Sequence, residues 1–347
     1  MRLGILTVQV PFIQGGAELH ARSLQAALRA AGHDADIISM PFKWFPPDRI
    51  APQMLAARLL DVTESSGMSI DRVIGLKFPA YLVEHPNKVL WILHQHRSAY
   101  DLWGHGLGDL HGQPGGEAAM QSIREADRRG IPRAQRIFTN SCRVSERLLR
   151  YNGIDSQPLY HPPPLAERYV CAEPEDFLLM PSRINDTKRQ MLVVQALFHV
   201  RADVRVRFVG RSEGGGKLEQ LVSLAAKLPP GRVYFDGAVD DEEKITLYAR
   251  CLAVLFVPFD EDYGYVTLEA MLAGKPVLTC TDSGGVLEFA VDGETALVSD
   301  PDPIALAEAM DRIWVDRLLA RRLGAQGRAR YDHLGISWST VVETLLG

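Results

Sequence analysis

The sequence predicts an α/β chain of two doubly wound parallel-sheet domains, and three observations carry that prediction. Short apolar runs alternate with amphipathic helical stretches in both halves, and a proline-rich break separates the halves. The length of 347 residues also exceeds what one ordinary hydrophobic core accommodates.

The first half opens on an apolar strand from Leu3 to Val10, followed by a turn at Gly15-Gly16. Leu19, Leu24 and Leu28 then fall at helical spacing over 17–31, and Gly32 supplies the residue that most easily adopts a left-handed C-cap. Further strands are expected at 36–40, 72–76, 89–93 and 136–139. The segment from Pro158 to Pro174 contains His161-Pro162-Pro163-Pro164; three prolines without amide donors resist regular structure, so the inter-domain linker is placed there. The second half repeats the pattern, with strands expected at 177–180, 204–209, 233–235, 253–257 and 276–279. The domains are accordingly expected at 1–165 and 166–330, with 331–347 as a helical segment that packs back on the first.

Composition narrows the function classes. A hydrophobic fraction of 46% and a charged fraction of 23% fit a globular protein. No apolar run approaches the ~20 residues that span a bilayer, and the opening residues read as a buried strand, not a signal-peptide core. Cys142, Cys171, Cys251 and Cys280 have no paired spacing, so the expected compartment is reducing and cytoplasmic. Residues 1–170 carry 19 Lys and Arg against 16 Asp and Glu; the remainder carries 19 against 27. Neither half is basic enough to make nucleic acid the expected partner.

The stretch from Phe259 to Val277 holds the most chemical information. It follows a strand, crosses a loop with Tyr263-Gly264-Tyr265-Val266, and enters a helix that Gly274 and Pro276 end. Glu261 falls at the carboxyl end of the strand and Glu269 near the helix start, on the sheet edge where doubly wound proteins bind ligands. Two carboxylates there suit hydroxyl-rich ligands, because each accepts charge-assisted hydrogen bonds.

This string resembles the Glu-x7-Glu motif of retaining glycosyltransferases of family 4, also called glycosyltransferase group 1, down to the aromatic-Gly pair, the Glu-Ala-Met start and the Gly-x-Pro-Val exit. The resemblance implies the GT-B fold, two Rossmann-like domains facing across a cleft, and a nucleotide-diphosphate sugar (UDP- or GDP-linked) as co-substrate with no other cofactor. It places the contact to donor-sugar hydroxyls on Glu261 and the contact to the nucleotide ribose on Glu269, with Tyr263, Gly264, Tyr265 and Val266 between them lining the donor site. The same resemblance puts a diphosphate clamp on Arg183 and Lys188, in Pro181-Ser182-Arg183-Ile184-Asn185-Asp186-Thr187-Lys188. Arg offers planar forked donors and Lys a compact charge to phosphate oxygens. Arg189 follows the lysine where the family often has glycine, a departure that bears on the local loop geometry.

A metal is not expected. Asp34-Ala-Asp36 and Asp300-Pro-Asp302 have Asp-x-Asp spacing, but the first enters a strand and the second precedes a helix, so both read as boundary acids. Gly15 and Gly16 resemble the family's first-domain glycine turn, although strand–helix geometry alone accounts for them equally well. Gly285, within Gly284-Gly285-Val286-Leu287-Glu288, resembles a loop whose amides approach the donor. His94, in His94-Gln95-His96-Arg97, matches the family's strand-end histidine and is given a sugar-positioning and charge-stabilising role, with His96 as the fallback.

Residues Arg124 to Arg150 hold eight arginines against Glu125, Asp127 and Glu146. A solvated helical surface is the plainer reading; the sharper one is a peripheral contact with the inner membrane face or an anionic acceptor. The acceptor class is a glycan, a lipid-linked glycan or a small molecule. Two alternatives stay open: an epimerase or hydrolase of the same fold, which needs its own acid/base pair, and a non-catalytic sugar-nucleotide-binding protein. A dehydrogenase is not expected, since no Gly-x-Gly-x-x-Gly joins a first strand to a helix and Gly104-His105-Gly106-Leu107-Gly108 lies in a loop-rich stretch.

Overall fold

The computed structural model describes residues 1–12 and 15–347. It divides into two compact units, Met1–Pro164 with Ser337–Gly347, and Leu165–Ile336. In chain order, unit 1 contains β1 (Arg2–Gln9), α1 (Gly16–Ala30), β2 (Asp34–Pro41), α2 (Ile50–Leu59), a small hairpin of β3 (Glu64–Ser65) and β4 (Met68–Ser69), and β5 (Arg72–Lys77). It continues with β6 (Lys88–His94), α3 (Gly116–Gly130), β7 (Arg136–Thr139), α4 (Cys142–Asn152) and β8 (Gln157–Pro158). The main sheet has the order β2-β1-β5-β6-β7-β8, with parallel neighbours throughout. Its strands read as near-continuous apolar runs because helices cover both faces. One face packs Leu24 and Leu28 of α1 against Ile5, Ile74 and Trp91; the other packs Ile50 and Met54 of α2 and Ile123 of α3 against Leu6, Val73 and Leu90.

Unit 2 contains β9 (Leu178–Pro181), α5 (Gln190–Ala196), β10 (Val206–Val209), α6 (Lys217–Ala225), β11 (Val233–Gly237) and α7 (Asp241–Arg250). There follow β12 (Ala253–Leu255), α8 (Tyr265–Leu272), β13 (Val277–Cys280), β14 (Ala296–Ser299), α9 (Pro303–Val315) and α10 (Arg317–Leu334). The sheet order is β11-β10-β9-β12-β13-β14, again parallel, which reverses direction between β9 and β12. Gly324 lets α10 cross closely over the end of α8: a Cβ there would lie 2.1 Å from the Gly274 carbonyl oxygen.

The boundaries differ from the sequence expectation in two places. Pro158 lies in β8, so the start of the proline-rich stretch belongs to the first sheet. Residues 331–336 stay with unit 2, because α10 continues to Leu334 and ends at Gly335 with φ 60°. The chain returns to unit 1 as α11 (Trp338–Leu346), capped at its start by the Ser337 hydroxyl, which accepts from Thr340 N–H at 3.1 Å. Arg72 and Arg136 donate to the Leu345 carbonyl, both at 2.9 Å, placing cations on the negative end of that helix.

The arginine stretch 124–150 is not one uniform face. Arg147 is 5% exposed and ion-paired with Asp101, and Arg124 donates to the Ala99 carbonyl. Asp127 is fully buried between the Tyr81 and Tyr100 hydroxyls at 3.0 and 2.9 Å, and burial raises its carboxyl to about 7. Asp34 and Asp36 face Arg2, Arg29 and Gln25, while Asp302 caps α9 by accepting from Ile304 and Ala305.

Candidate active site

In unit 2 the strand order reverses at β9 and β12, and residues beyond the carboxyl ends of those strands converge. Past β9 the Asn185 side chain caps a single turn over 186–188, accepting the Lys188 N–H at 3.1 Å. Past β12 the Phe259 N–H donates to the Thr187 carbonyl at 2.8 Å, joining the two loops. Their meeting point is an ion pair between the Lys188 ammonium and the Glu261 carboxylate, whose side chains are only 15% and 22% exposed. The ammonium also lies 5.3 Å from the centre of the Phe256 ring, an arrangement that favours a cation.

Arg189, the departure from the family pattern, explains how this pair is held. Its backbone adopts φ 54°, the left-handed conformation that glycine takes most easily. The side chain compensates: it grips Asp282 with two bonds of 2.8 and 2.7 Å and donates to the Val257 and Pro258 carbonyls at 2.6 and 2.8 Å. One guanidinium therefore ties the loop carrying Lys188 to the loops after β12 and β13. Replacing Arg189 with Ala should lower turnover about tenfold and broaden the nuclear magnetic resonance lines of the Lys188 ammonium. Asp282→Asn should do the same, and the double variant should be no worse than either single one, as a double-mutant cycle measures.

The loop after β13 supports Glu261 from below. Asp260 and Glu261 N–H groups donate to the Asp282 and Ser283 carbonyls at 2.9 and 3.1 Å. Gly284 has φ 65°, and a Cβ there would sit 2.6 Å from the Glu261 carbonyl oxygen, so a side chain would expel the loop. The Gly285 amide donates to that same carbonyl at 2.8 Å. That bond ties the Gly285 amide to the Glu261 loop.

Gly264, with φ 83°, then turns the chain into α8, of which Tyr265 and Val266 are the first residues. The first amides of a helix have no intrahelical acceptor and favour anions. Tyr263 packs edge-on against Tyr265 and Phe289 at 5.8 and 5.5 Å, fixing the turn. Glu269 follows one turn into α8 and is 6% exposed. Its carboxylate accepts from the Tyr248 hydroxyl at 2.6 Å and the Lys244 ammonium at 3.2 Å, both presented by α7. Burial, then the Glu269 charge, holds the Tyr248 phenol well above its ordinary range, so it remains a donor.

Arg183 is placed differently from Lys188. It pairs with Glu213, which also accepts from the Asn185 amide at 2.7 Å, and its side chain is 43% exposed. Glu213 belongs to the glycine-rich stretch 210–216. Among the described residues no group of three His, Cys, Asp or Glu side chains is placed to hold a metal ion.

Unit 1 holds the remaining candidates. Gly15 is the N-cap of α1, and its N–H donates to the Glu18 carboxylate at 2.7 Å. That carboxylate takes the place at the helix start which an anion could otherwise occupy. Gly16 is the first residue of α1. His94 ends β6, half-buried, with Nδ1 2.6 Å from the Gln95 carbonyl oxygen. The fallback, His96, is half-buried, edge-on against Phe78 at 5.4 Å, and desolvation lowers its imidazole to about 4.

Of the residues singled out from sequence, the structure joins Lys188 directly to Glu261 and places Glu269 one turn along the adjoining helix. Arg183 is turned to Glu213. The partners Asp282, Tyr248, Lys244 and Glu213 were not read from sequence, since they are distant in the chain and belong to no local pattern. Arg189 did leave a signal, as a residue standing where glycine was expected.

Residues 166–330 match the family model described as glycosyl transferases group 1. An alpha-1,3/1,6-mannosyltransferase of Dictyostelium discoideum is 34% identical over 136 residues, 38% of this chain and 32% of that protein. The chain thus aligns with about a third of the length of that relative. Sucrose-phosphate synthase from Thermosynechococcus elongatus has a similar structure, with a TM-score of 0.77 at 20% identity over 99% of this chain and 97% of the other. The Anabaena protein HepE, solved with UDP and glucose, has a TM-score of 0.72 at 17% identity over 99% of each chain. At these identities the structural likeness establishes the fold, which is GT-B.

Proposed function

We propose, from the match of residues 166–330 to the model for glycosyl transferases group 1, that the chain is a retaining glycosyltransferase of family 4. It moves a hexose from a UDP- or GDP-sugar to a glycan, lipid-linked or small-molecule acceptor, without a metal ion. The observation that carries this reading is the Lys188–Glu261 pair at the strand-order reversal, beside the start of α8.

The chemistry follows from charge. Breaking the sugar–phosphate bond leaves negative charge on the nucleoside diphosphate, and rate is gained by groups already aimed at it. Lys188 and the first amides of α8 are such groups, with Arg183 joining them once it leaves Glu213. Glu261 accepts hydrogen bonds from hydroxyls of the donor sugar, and its charge keeps Lys188 in place while the site is empty. Glu269 accepts the ribose hydroxyls, steadied by Tyr248 and Lys244. His94 positions the sugar and stabilises charge, and no side chain is assigned as a covalent nucleophile. The separate employment of the Asp-x-Asp acids supports a metal-free diphosphate site.

Product stereochemistry tests the reading. With the matching nucleotide sugar and EDTA present, proton magnetic resonance should show the first-formed product with the donor's anomeric configuration. Inverted product, or turnover that EDTA abolishes, contradicts it.

A further inference from the structure

His94 ends β6, and the residue that follows it, Gln95, is buried. The Nδ1 of His94 lies 2.6 Å from the Gln95 carbonyl oxygen. A carbonyl can only accept, so Nδ1 carries the ring proton and Nε2 is the acceptor of the neutral imidazole. The tautomer and orientation of His94 therefore depend on where Gln95 is held.

A chain of polar side chains from distant parts of the sequence holds it. The Gln95 amide N–H donates to the side-chain carbonyl of Asn152, the last residue of α4. The Asn152 amide N–H donates to the Tyr100 hydroxyl at 3.2 Å, and Tyr100 donates to Asp127 of α3 at 2.9 Å. Tyr81 donates to the other Asp127 oxygen at 3.0 Å. A carboxylate only accepts hydrogen bonds, so every donor in the chain points from Gln95 towards Asp127. That order fixes which way both amides face, since turning either would set donor against donor or acceptor against acceptor.

Packing alone does not call for this chain. Two tyrosine hydroxyls already meet the Asp127 carboxylate. The loop after β6 is pinned independently, by Arg124 donating to the Ala99 carbonyl at 2.8 Å and by Arg147 beside Asp101 at 3.8 Å. Apolar side chains of the same shape could replace the two amides nearly without loss, whereas a satisfied buried network imposes one arrangement. Here the arrangement imposed is that of the backbone against which His94 is set. We propose that the Asn152–Gln95 amide pair, ordered by Tyr100 and Asp127, is a positioning device that fixes the His94 tautomer and so presents Nε2 to accept from a substrate hydroxyl. Gln95, Asn152 and Tyr100 are positioning residues that act through His94. The proposal rests on the transferase reading for the use made of Nε2, but not for the tautomer.

Nitrogen magnetic resonance of the imidazoles of the full chain in mildly alkaline buffer, with the His94 signals assigned by their loss in His94→Gln, reads the tautomer directly. The parent protein should carry the proton on Nδ1, and Asn152→Leu and Tyr100→Phe should each return a mixture with the Nε2–H form. With the matching nucleotide sugar, each variant should lose about tenfold in kcat while KM for the donor stays unchanged. The double variant should be no worse than either single one, because both break the same chain. Nucleoside diphosphate binding should be unchanged throughout, which separates failure of this proposal from failure of the donor-site reading. An Nε2–H tautomer in the parent protein, or a tautomer that neither Asn152→Leu nor Tyr100→Phe moves, would overturn it.

Discussion

Replacing Lys188 with Ala should reduce kcat by about 10²–10³-fold, the loss typical when one preorganised donor to a developing oxyanion is removed. The fall should appear in kcat and kcat/KM alike, because the charge it meets develops in the transition state. A partly buried Glu261 carboxylate would lose its partner, so a modest drop in stability, about 1–3 kcal/mol, should accompany it. Lys188→Arg should recover part of the rate, since charge is kept and shape is changed. Steady-state kinetics on the three proteins decide the matter, and wild-type kcat in Lys188→Ala would remove the lysine from the mechanism.

Acid should destabilise unit 1 through a buried histidine pair. His20 of α1 and His161 of the proline-rich segment are each 1% exposed, with Nδ1 of His20 3.1 Å from Nε2 of His161. The Nδ1 of His161 lies 3.3 Å from the Pro162 carbonyl oxygen, which can only accept. The proton order that follows leaves His20 Nε2 bare, and that atom is buried without a partner. Trp91 of β6 and Trp338 of α11 close around the pair, with centroids 4.3 and 6.2 Å from His20. Burial lowers His161 to about 3; burial, then His161, holds His20 well below its ordinary value.

Both groups are neutral in the folded chain and gain protons readily only when it unfolds. Stability is therefore full above the unfolded histidine value of ~6.5 and declines as pH falls below it, by up to about 1.4 kcal/mol per pH unit for each histidine. At pH 5 the pair should cost unit 1 about 3–4 kcal/mol, a large part of an ordinary stability margin. Urea unfolding followed by tryptophan fluorescence at pH 7.5 and 5 measures this, and His20→Leu with His161→Leu should flatten the dependence. An unchanged urea midpoint in the parent protein would refute the assignment.

The sequence made both sheets legible because their strands are apolar runs between turn residues, and such runs at 136–139 or 253–257 admit few other readings. It failed where that signal is weak. β8 is two residues long and ends on Pro158, while β14, Ala296–Ser299, is a short edge strand after a turn. α2 contains Pro52 and lacks a polar face, so the contrast that marks a surface helix is missing. Within the site, Glu261, Glu269 and Lys188 were visible in local strings. Their supports were not, since Arg189 meets Asp282 across 93 residues and Glu269 meets Tyr248 across 21, contacts that only the wound sheet creates. Gly285 shows the converse, a recognisable pattern whose amide is employed within the protein.

Calorimetric titration of the purified chain with UDP, GDP, ADP and TDP in the presence of EDTA tests the central claim most directly. One nucleoside diphosphate should bind, with affinity reduced at least tenfold by Glu269→Ala. Failure of all four to bind, or binding that Glu269→Ala leaves unchanged, would contradict a nucleotide-sugar site built on the carboxyl ends of β9 and β12.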